Sequence, residues 1–596
     1  MAVFDSGTKR RWRRHFRRHQ RGAVELGVQA DQQIEKLLLR RLGRLVSVRR
    51  FIFLWISLFI LMFFFGVIQL RALSPYYQSL KPVPGGIYSE GILSTFRNAN
   101  PLYATTEADI ALSHLVFAGL FKYDNANGFA ADLAKDWSVG PTPTHYTVHL
   151  RQGLSWHDGA PFTADDVVFT YKTIQDIESQ SALYSNWRDI TVKKVDNYTV
   201  TFDLPNALSP FPLSLTNGII PAHILKKIPP TQLRSNSFNS QPIGMGPFQW
   251  KFIELLTSSG FGSEQRITLA AFDKYWAGRP KLDGFNLLVF SNEQQLLNAF
   301  NKKQINAVGG LEALPDELAD DSNVQVYNTP LTSAVMAFFN NSRGVFADAA
   351  VRRALVSGID RQPLSKITGF PTQLVDSPLL HNQLGYSSDL MQLPYDPSLA
   401  NQLLDQAGWL RTGQGFRSKN NQTLVLNLRS QNTRQYTVLS QYLQTQWAKL
   451  GVKVEVQFYD ANDLGSQIIA NHDYDILVYA INIGIDPDIF AYWNSSQASV
   501  NSQGHLNLSE YKSGPADQAL EAGRTRGDPV VRVVKYRAFA TVWRDDAPAL
   551  ALYQPNFLYV TRGPVFGYER KSTNTAADRF YNVQNWMIRQ KRQTQQ

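Results

Sequence analysis

The run from Phe51 to Leu70 places twenty consecutive residues without a charge in the first eighth of the chain. At about 1.5 Å per helical residue it extends about 30 Å, one bilayer core, which predicts a membrane-spanning helix. A secretory signal peptide is the competing reading, but its apolar core is about 7–15 residues long and ends at a small-residue cleavage site. Here fifty residues precede the run, and the nearest cleavage-like pattern, Ala72-Leu-Ser74, runs into Pro75. A buried core helix fits poorly as well, because Arg49, Arg50 and Arg71 bracket the run.

Charge gives the orientation. Residues 1–50 hold fourteen Lys and Arg against four acids, which is +10 of the whole chain's +11. The positive-inside rule then leaves the N-terminus in the cytoplasm and everything after Leu70 outside. The remaining chain, with 46 basic and 45 acidic residues, is almost neutral, which argues against a nucleic-acid partner. Within the leader, the basic and aromatic stretch Lys9 to His19 suits anionic lipid, worth ~1 kcal/mol per cation. Ile34, Leu38, Leu42 and Leu45 then recur at helical spacing among charges, as in an amphipathic helix lying on the inner leaflet.

Beyond the apolar run, residues 71–84 include Pro75, Pro82 and Pro84 and read as a short stiff linker. Roughly 510 residues follow, enough for more than one compact unit. With no cysteine, neither a disulfide nor a lipid-modified cysteine is available, so the outer part relies on core burial and the helix on its own length. Tyr146, Val148 and Leu150 alternate with polar residues and predict a half-buried strand. Asp158-Gly159 supplies a turn, and Thr163 precedes Asp166 by the three residues of a capping box, opening a helix through Val167, Tyr171 and Ile174. His157 reads as a packed or hydrogen-bonding residue of this strand-to-turn segment, not as a catalytic one.

Later segments keep the same grammar. Val351, Leu355 and Ile359 fall four apart, and Leu399, Leu403 and Leu404 share one face of a helix ended by Gly408. Residues 452–458 and 475–479 alternate as strands. Strands interleaved with helices predict an α/β fold.

Several ordered blocks together resemble the extracytoplasmic solute-binding proteins of family 5, which serve ABC importers of peptides, nickel and oligosaccharides. They are Gly85-Gly86, Asn100-Pro101, Leu115-Val-Phe-Ala-Gly-Leu120, Asp132-Leu-Ala-Lys-Asp-Trp137, the block from Leu150 to Tyr171, Pro242-Ile-Gly-Met-Gly-Pro-Phe248, Phe272-Asp-Lys-Tyr-Trp276, Val351-Arg-Arg-Ala-Leu355 with Ile359-Asp-Arg361, and Leu403-Leu-Asp-Gln-Ala-Gly-Trp409. The resemblance runs from Gly85 to about Trp586. It implies a bilobed periplasmic-binding-protein-like fold of the large peptide-binding type, preceded here by one transmembrane helix. Lobe I would comprise 85–324 and 553–596 and lobe II 325–552, with a ligand cleft between them whose closed form the permease recognises.

The resemblance also exposes a departure. In members that hold a peptide by its free α-amine, a second-lobe aspartate lies four residues before the proline of an acidic-Pro motif. Here the motif is Asp486-Pro487-Asp488, and Ile483 stands in the aspartate's place. Burying an ammonium without a counter-charge costs several kcal/mol, whereas micromolar binding amounts to ~8 kcal/mol in total. A blocked or apolar peptide, an oligosaccharide or another neutral solute is therefore expected, unless Asp486 or another acid takes over. Tyr479, Asn482, Ile483, Asp486, Tyr492 and Trp493 are the expected cleft residues of the second lobe, with Trp156 and Tyr184 from the first.

The chain carries no G-x-S-x-G, no H-E-x-x-H and no phosphate loop, and lacks thiolate nucleophiles and thiolate metal ligands. No catalysis, cofactor or metal is expected. The expected partners are a peptide or other small solute, ABC permease subunits with their ATPases, and membrane lipid. A membrane-tethered sensor is the alternative, although the leader is short for an output domain.

Overall fold

The computed structural model describes residues 49–594 apart from 125–127, 257–264, 370–371, 412, 414, 502–505 and 571–573. The leader segments around Lys9–His19 and Ile34–Leu45 lie outside the described residues. The chain forms two compact units, one of Met1–Lys81 with Gln590–Gln596 and one of Pro82–Arg589.

In the first unit the helix Arg49–Tyr77 contains the apolar window Phe51–Gln69, with mean hydropathy 2.8 and exposed side chains, long enough and apolar enough to cross a membrane. Residues 71–84 depart from the expected linker. The helix runs to Tyr77 and continues into strand Gln78–Val83, which pairs with Arg589–Thr594 and so gives its backbone groups partners that a linker would leave to water.

The second unit is an α/β structure with two large sheets. The seven-stranded sheet of the first lobe runs in the order Val324–Pro330, Asn556–Arg562, Ala307–Gly309, Ile87–Leu93, Gly284–Phe290, Gln265–Ala271, Phe248–Leu255, with Ile87–Leu93 parallel to both its neighbours. The six-stranded sheet of the second lobe runs Gln373–Leu374, Ala549–Gln554, Ser333–Phe339, Ile476–Asn482, Val425–Gln431, Lys453–Tyr459. The chain therefore crosses between sheets at 331–332 and at Pro555. The boundaries expected at Val324 and Tyr553 cut through two strands: Val324 pairs with Arg562 in the first sheet, and Tyr553 pairs with Val335 and Leu374 in the second.

Local readings explain much of the first lobe. The strand His145–Leu150 buries Tyr146, Val148 and Leu150 and belongs to a four-stranded antiparallel sheet with Ala134–Val139, Thr191–Asp196 and Thr199–Asp203. Thr163 caps the helix Ala164–Gln175 in a reciprocal capping box with Asp166. The chain's return is locked by a fully buried polar node. Arg579 donates to Glu90 and to the Ala576 carbonyl, Tyr559 donates to Glu90 at 2.8 Å, and the Tyr88 and Tyr559 hydroxyls lie 2.7 Å apart. Burial works against the Arg579 charge, but Glu90 overcomes it and raises the guanidinium pKa.

The second lobe's sheet is covered on both faces, as its parallel strands require. Leu355, Leu428 and Trp447 pack on one side; Phe338, Leu477, Trp493 and Trp543 pack on the other. The helices Ala349–Ser357 and Pro397–Gln406 carry the expected apolar faces, and Gly408 follows the latter with φ +82°.

Candidate functional site

The loop 483–489 that follows strand Ile476–Asn482 is fixed by backbone contacts before any solute is considered. The N–H groups of Ile483 and Gly484 both donate to the Thr332 carbonyl at 3.0 Å, and Gln383 donates to the Gly484 carbonyl at 2.7 Å. Gly484 has φ +78°, a conformation that a side chain would strain. This turn separates Ile483, buried in the second-lobe core, from Ile485, which lines a cavity of about 500 Å³ between the loop and the first lobe. Across that gap, a Cβ placed on Gly128 would lie 3.7 Å from the Ile485 side chain.

Both carboxylates of the loop are occupied. Asp486 accepts a bidentate fork from Arg532 at 2.5 and 2.9 Å, and Asp488 pairs with Arg524 at 3.0 Å. Arg524 also stacks over the Phe490 ring at 4.3 Å. Burial opposes the Arg532 charge, yet the Asp486 carboxylate outweighs it and raises the guanidinium pKa; burial likewise raises Asp488, with Arg524 offsetting only part of the effect. The arginines come from the helices Gly514–Thr525 and Pro529–Asp546, so the loop is held from behind and presents Ile485 forward.

The first-lobe wall is built differently. The helix Glu107–Val116, closed at its start by a capping box between Thr106 and Asp109, offers Ile110, Ser113 and His114 to the cavity. Its end is pinned by the block Pro242–Phe248: Gly246 donates to the Val116 carbonyl at 2.7 Å, and a Cβ on Gly244 would come within 1.9 Å of that same oxygen. Glycine is therefore obligatory at 244. His157 belongs to the same clamp. Its Nδ1 accepts from the Gly244 N–H at 3.2 Å and its Nε2–H donates to the Gly246 carbonyl at 3.0 Å, which fixes the neutral tautomer. Burial holds its pKa down to about 4. Both ring nitrogens are engaged in structure, leaving none for proton transfer.

Lys122, Tyr123, Asp132, Tyr275, Asp578 and Phe580 are among the polar and aromatic residues of that wall. Asp132 accepts from the Trp276 indole at 2.9 Å, and the Arg151 guanidinium lies 4.0 Å over the same ring while its Nε donates to the Asp132 carbonyl at 2.7 Å. Burial raises Asp132 to about 6, partly offset by Lys122. The crowded cavity desolvates His114 and lowers its pKa against the pull of Asp578, although the residue keeps exposed surface. Among the described residues, no group of three His, Asp or Glu is arranged to hold a metal ion.

A second interlobe cavity, of about 650 Å³, shares Asn186 with the first and lies between residues 204–208 and Phe490, Glu521 and Arg524. Nearby, the Ser209 N–H donates to the Arg524 carbonyl at 2.9 Å and its hydroxyl donates to the Arg526 carbonyl, closing the lobes on that side.

The eight expected site residues are dispersed by this geometry. Trp156 is fully buried in the first-lobe core beside Phe162 and His223, and Trp493 is fully buried between Phe338 and Trp543. Ile483 is 4% exposed, and Asp486 is paired with Arg532. Tyr492 donates its hydroxyl to the Asn482 carbonyl at 2.8 Å, and the Asn482 side chain accepts from Gly484 N–H at 3.0 Å, so both brace the loop. Tyr479 is half-buried against the second-lobe core, and Tyr184 adjoins Leu183 and Asn186 of the cavity rim without lining it. Sequence reasoning missed Ile485, Tyr123, Lys122 and Asp578. The available signals were Gly484, which breaks the strand register, and the block Leu115–Leu120, whose Phe117, Ala118 and Gly119 line the cavity.

The model for "Bacterial extracellular solute-binding proteins, family 5 Middle" matches residues 128–502. The chain belongs to this family. The oligopeptide-binding protein AppA of Bacillus subtilis is 27% identical over 526 residues, covering 85% of this chain and 92% of that protein. The dipeptide-binding protein of Escherichia coli is 26% identical over 466 residues, covering 73% and 83%. The structure of AppA in complex with a nonapeptide superposes with a TM-score of 0.70 at 26% identity, covering 85% of this chain and 100% of that one. NikZ of Campylobacter jejuni, solved with Ni(L-His), shares the fold at a TM-score of 0.72 and 23% identity, covering 84% and 99%. As a family 5 protein the chain is the substrate-binding component of an ABC importer, with an extracytoplasmic binding domain of the bilobed α/β type.

Proposed function

We propose that this chain captures a peptide or a related neutral solute between its lobes, holds it mainly through first-lobe groups, and passes it unchanged to permease subunits whose ATPases supply the energy. The observation that carries the reading is the neutralisation of Asp486 by Arg532 and of Asp488 by Arg524 beside the 500 Å³ cavity. With Ile483 in the place of the amine-binding aspartate, an ammonium at the second-lobe wall would lose its hydration without a counter-charge. A peptide with a blocked or differently held amine avoids that cost. The peptide ligands named for AppA and for the dipeptide-binding protein favour a peptide, and two cavities meeting at Asn186 suit an extended one.

In this reading Ile485, Tyr123, Lys122 and Asp578 touch the solute, while Asp486, Asn482 and Tyr492 position the loop. Lobe I comprises 82–330 and 556–589 and lobe II 333–554, and the chain performs no chemistry of its own. The helix Arg49–Tyr77 anchors it in the membrane, with the basic leader against cytoplasmic lipid; its exposed apolar surface and the fourteen cations in residues 1–50 support that orientation.

Native mass spectrometry of the full chain, released from non-ionic micelles, tests the ligand. A ladder of co-purified peptide masses that leaves intact on unfolding is the expected result. A hydrolysed product, or an empty protein that gives no thermal shift with peptide or saccharide libraries, would overturn it.

A further inference from the structure

Away from the cleft, the first lobe carries a cavity of about 380 Å³ between the loop following strand Ile87–Leu93 and residues 234–240. The described residues that line it include two arginines, Arg97 and Arg234, with Asn98, Tyr103, Thr105 and Ser237, and no acid. Neither arginine forms an ion pair among the described residues, and both are exposed. Asp109, in the first turn of the helix Glu107–Val116 that follows the loop, is already surrounded: it accepts from the N–H groups of Arg97 at 2.8 Å, Asn98 at 3.0 Å, and Thr105 and Thr106 at 3.4 Å. Those bonds set the loop's shape, and among the described residues neither guanidinium has an ion-pair partner.

The cradle is rigid. The Ala99 N–H donates to the Asn239 carbonyl at 2.8 Å, the Asn100 side chain donates to the Asn239 side chain at 2.9 Å, and Asn239 donates onward to the Leu233 and Arg234 carbonyls at 2.9 Å each. Inside it, Tyr103 is only 5% exposed, and its phenol lies beside the Ser179 side chain without a hydrogen bond of good geometry. The Asn98 side-chain oxygen is buried and unpaired as well. A buried donor and acceptor without well-made bonds are unfavourable in a self-contained fold, and both belong to residues that line this cavity.

We propose that this cavity binds a phosphate group, with Arg97 and Arg234 supplying charge-assisted donors, the Tyr103 hydroxyl a third donor, and Asn98 an acceptor for a hydroxyl carried by the ligand. Guanidinium groups match phosphate oxygens with paired N–H bonds, and two arginines without a competing lining acid make the cavity selective for anions. An acceptor beside them fits the P–OH of hydrogen phosphate or the hydroxyl of a polyol phosphate better than it fits a carboxylate, which brings no proton. Burial pushes the Tyr103 phenol up to about 12 while Arg234, which lines the same cavity, pulls it down, so the phenol keeps its proton at neutral pH. The phosphate belongs either to a soluble ester or ion or to a lipid headgroup, and the chemistry at the arginines is the same for both.

The test uses the full chain in a non-ionic detergent, titrated by calorimetry with inorganic phosphate and, separately, with monomeric dihexanoyl phosphatidylglycerol. Saturable binding that falls at least about tenfold in the Arg97→Ala/Arg234→Ala double variant is expected. If inorganic phosphate behaves so, the source is soluble phosphate; if only the phosphatidylglycerol does, the source is a headgroup. Tyr103→Phe removes the third donor alone and should weaken the same titration about three- to tenfold, which keeps the test valid if the double variant folds poorly. Absence of saturable binding for both probes, or equal affinity in wild type and variants, would overturn the proposal.

Discussion

In the second lobe the carboxylates nearest the cleft are both taken up by arginines, Asp486 by Arg532 and Asp488 by Arg524, whereas in the first lobe Asp132 and Asp578 border the cavity with Lys122 and His114 among them. The contrast separates positioning from recognition. Ion pairs behind the second-lobe loop cancel its charge and fix where Ile485 points. On the first-lobe wall Asp132 and Asp578 are buried and accept from the Trp276 indole and the Thr575 N–H, while Lys122 and His114 keep exposed surface on a framework held by backbone contacts such as those around Gly244, Gly246 and His157.

The largest effect should come from the first lobe's own buried pair, which tests whether a charge deep in that core behaves like those behind the loop. Arg579→Ala strands Glu90 in a fully buried site and should cost about 3–5 kcal/mol in denaturant unfolding. A loss under 1 kcal/mol would show that the node relaxes or admits water. Arg532→Ala breaks the less deeply buried pair and should cost about 2–4 kcal/mol, together with a loss of solute affinity as the loop moves. Unchanged affinity would separate the loop from the site.

A pH experiment sharpens the first-lobe side. Asp132 is raised from 3.8 to about 6, so within that window the folded chain retains a proton that the unfolded chain has released, and stability falls as pH rises. Asp132→Asn removes this slope; relative to wild type the variant should gain up to about 3 kcal/mol between pH 4 and pH 6, followed by thermal denaturation. His157, lowered from 6.5 to about 4, contributes a slope of opposite sign in both proteins and cancels from the difference. A flat difference would mean that Asp132 is charged throughout.

Ile485→Asp places an uncompensated carboxylate on the second-lobe wall. It should shift preference toward peptides with a free amine by about tenfold, near 1.4 kcal/mol, measured by competition between free and N-acetylated peptides. No shift would remove Ile485 from the solute contact. The smallest effect is expected at Tyr492→Phe, which deletes the hydrogen bond to the Asn482 carbonyl and should lower stability by about 1 kcal/mol with little change in affinity. A large affinity loss there would return Tyr492 to the cleft wall.

Local pattern made many elements legible. Alternation fixed the strand at Tyr146–Leu150, the Thr163–Asp166 spacing fixed the start of the next helix, and Gly408 marked the end of another, because each depends on neighbours within a few residues. Site residues were less legible for a matching reason. Trp156, Ile483 and Trp493 look like wall residues by motif position, but each fills a core formed by strands and helices distant in the chain. Asp486 looked free to replace the missing aspartate until Arg532, 46 residues further on, was brought against it.

The amino-acid sequence by itself determined a helix of membrane-spanning length, the alternating α/β elements and the absence of disulfide support, which follow from composition, period or spacing, and it carried the blocks that resemble the family. Only the tertiary structure decided which side chains between Tyr479 and Trp493 face the cleft. In that segment the direction of each residue depends on the left-handed turn at Gly484 and on arginines delivered by two helices over 35 residues later. Their pairing energy, not any local preference, turns Asp486 and Asp488 away and leaves Ile485 facing the cavity.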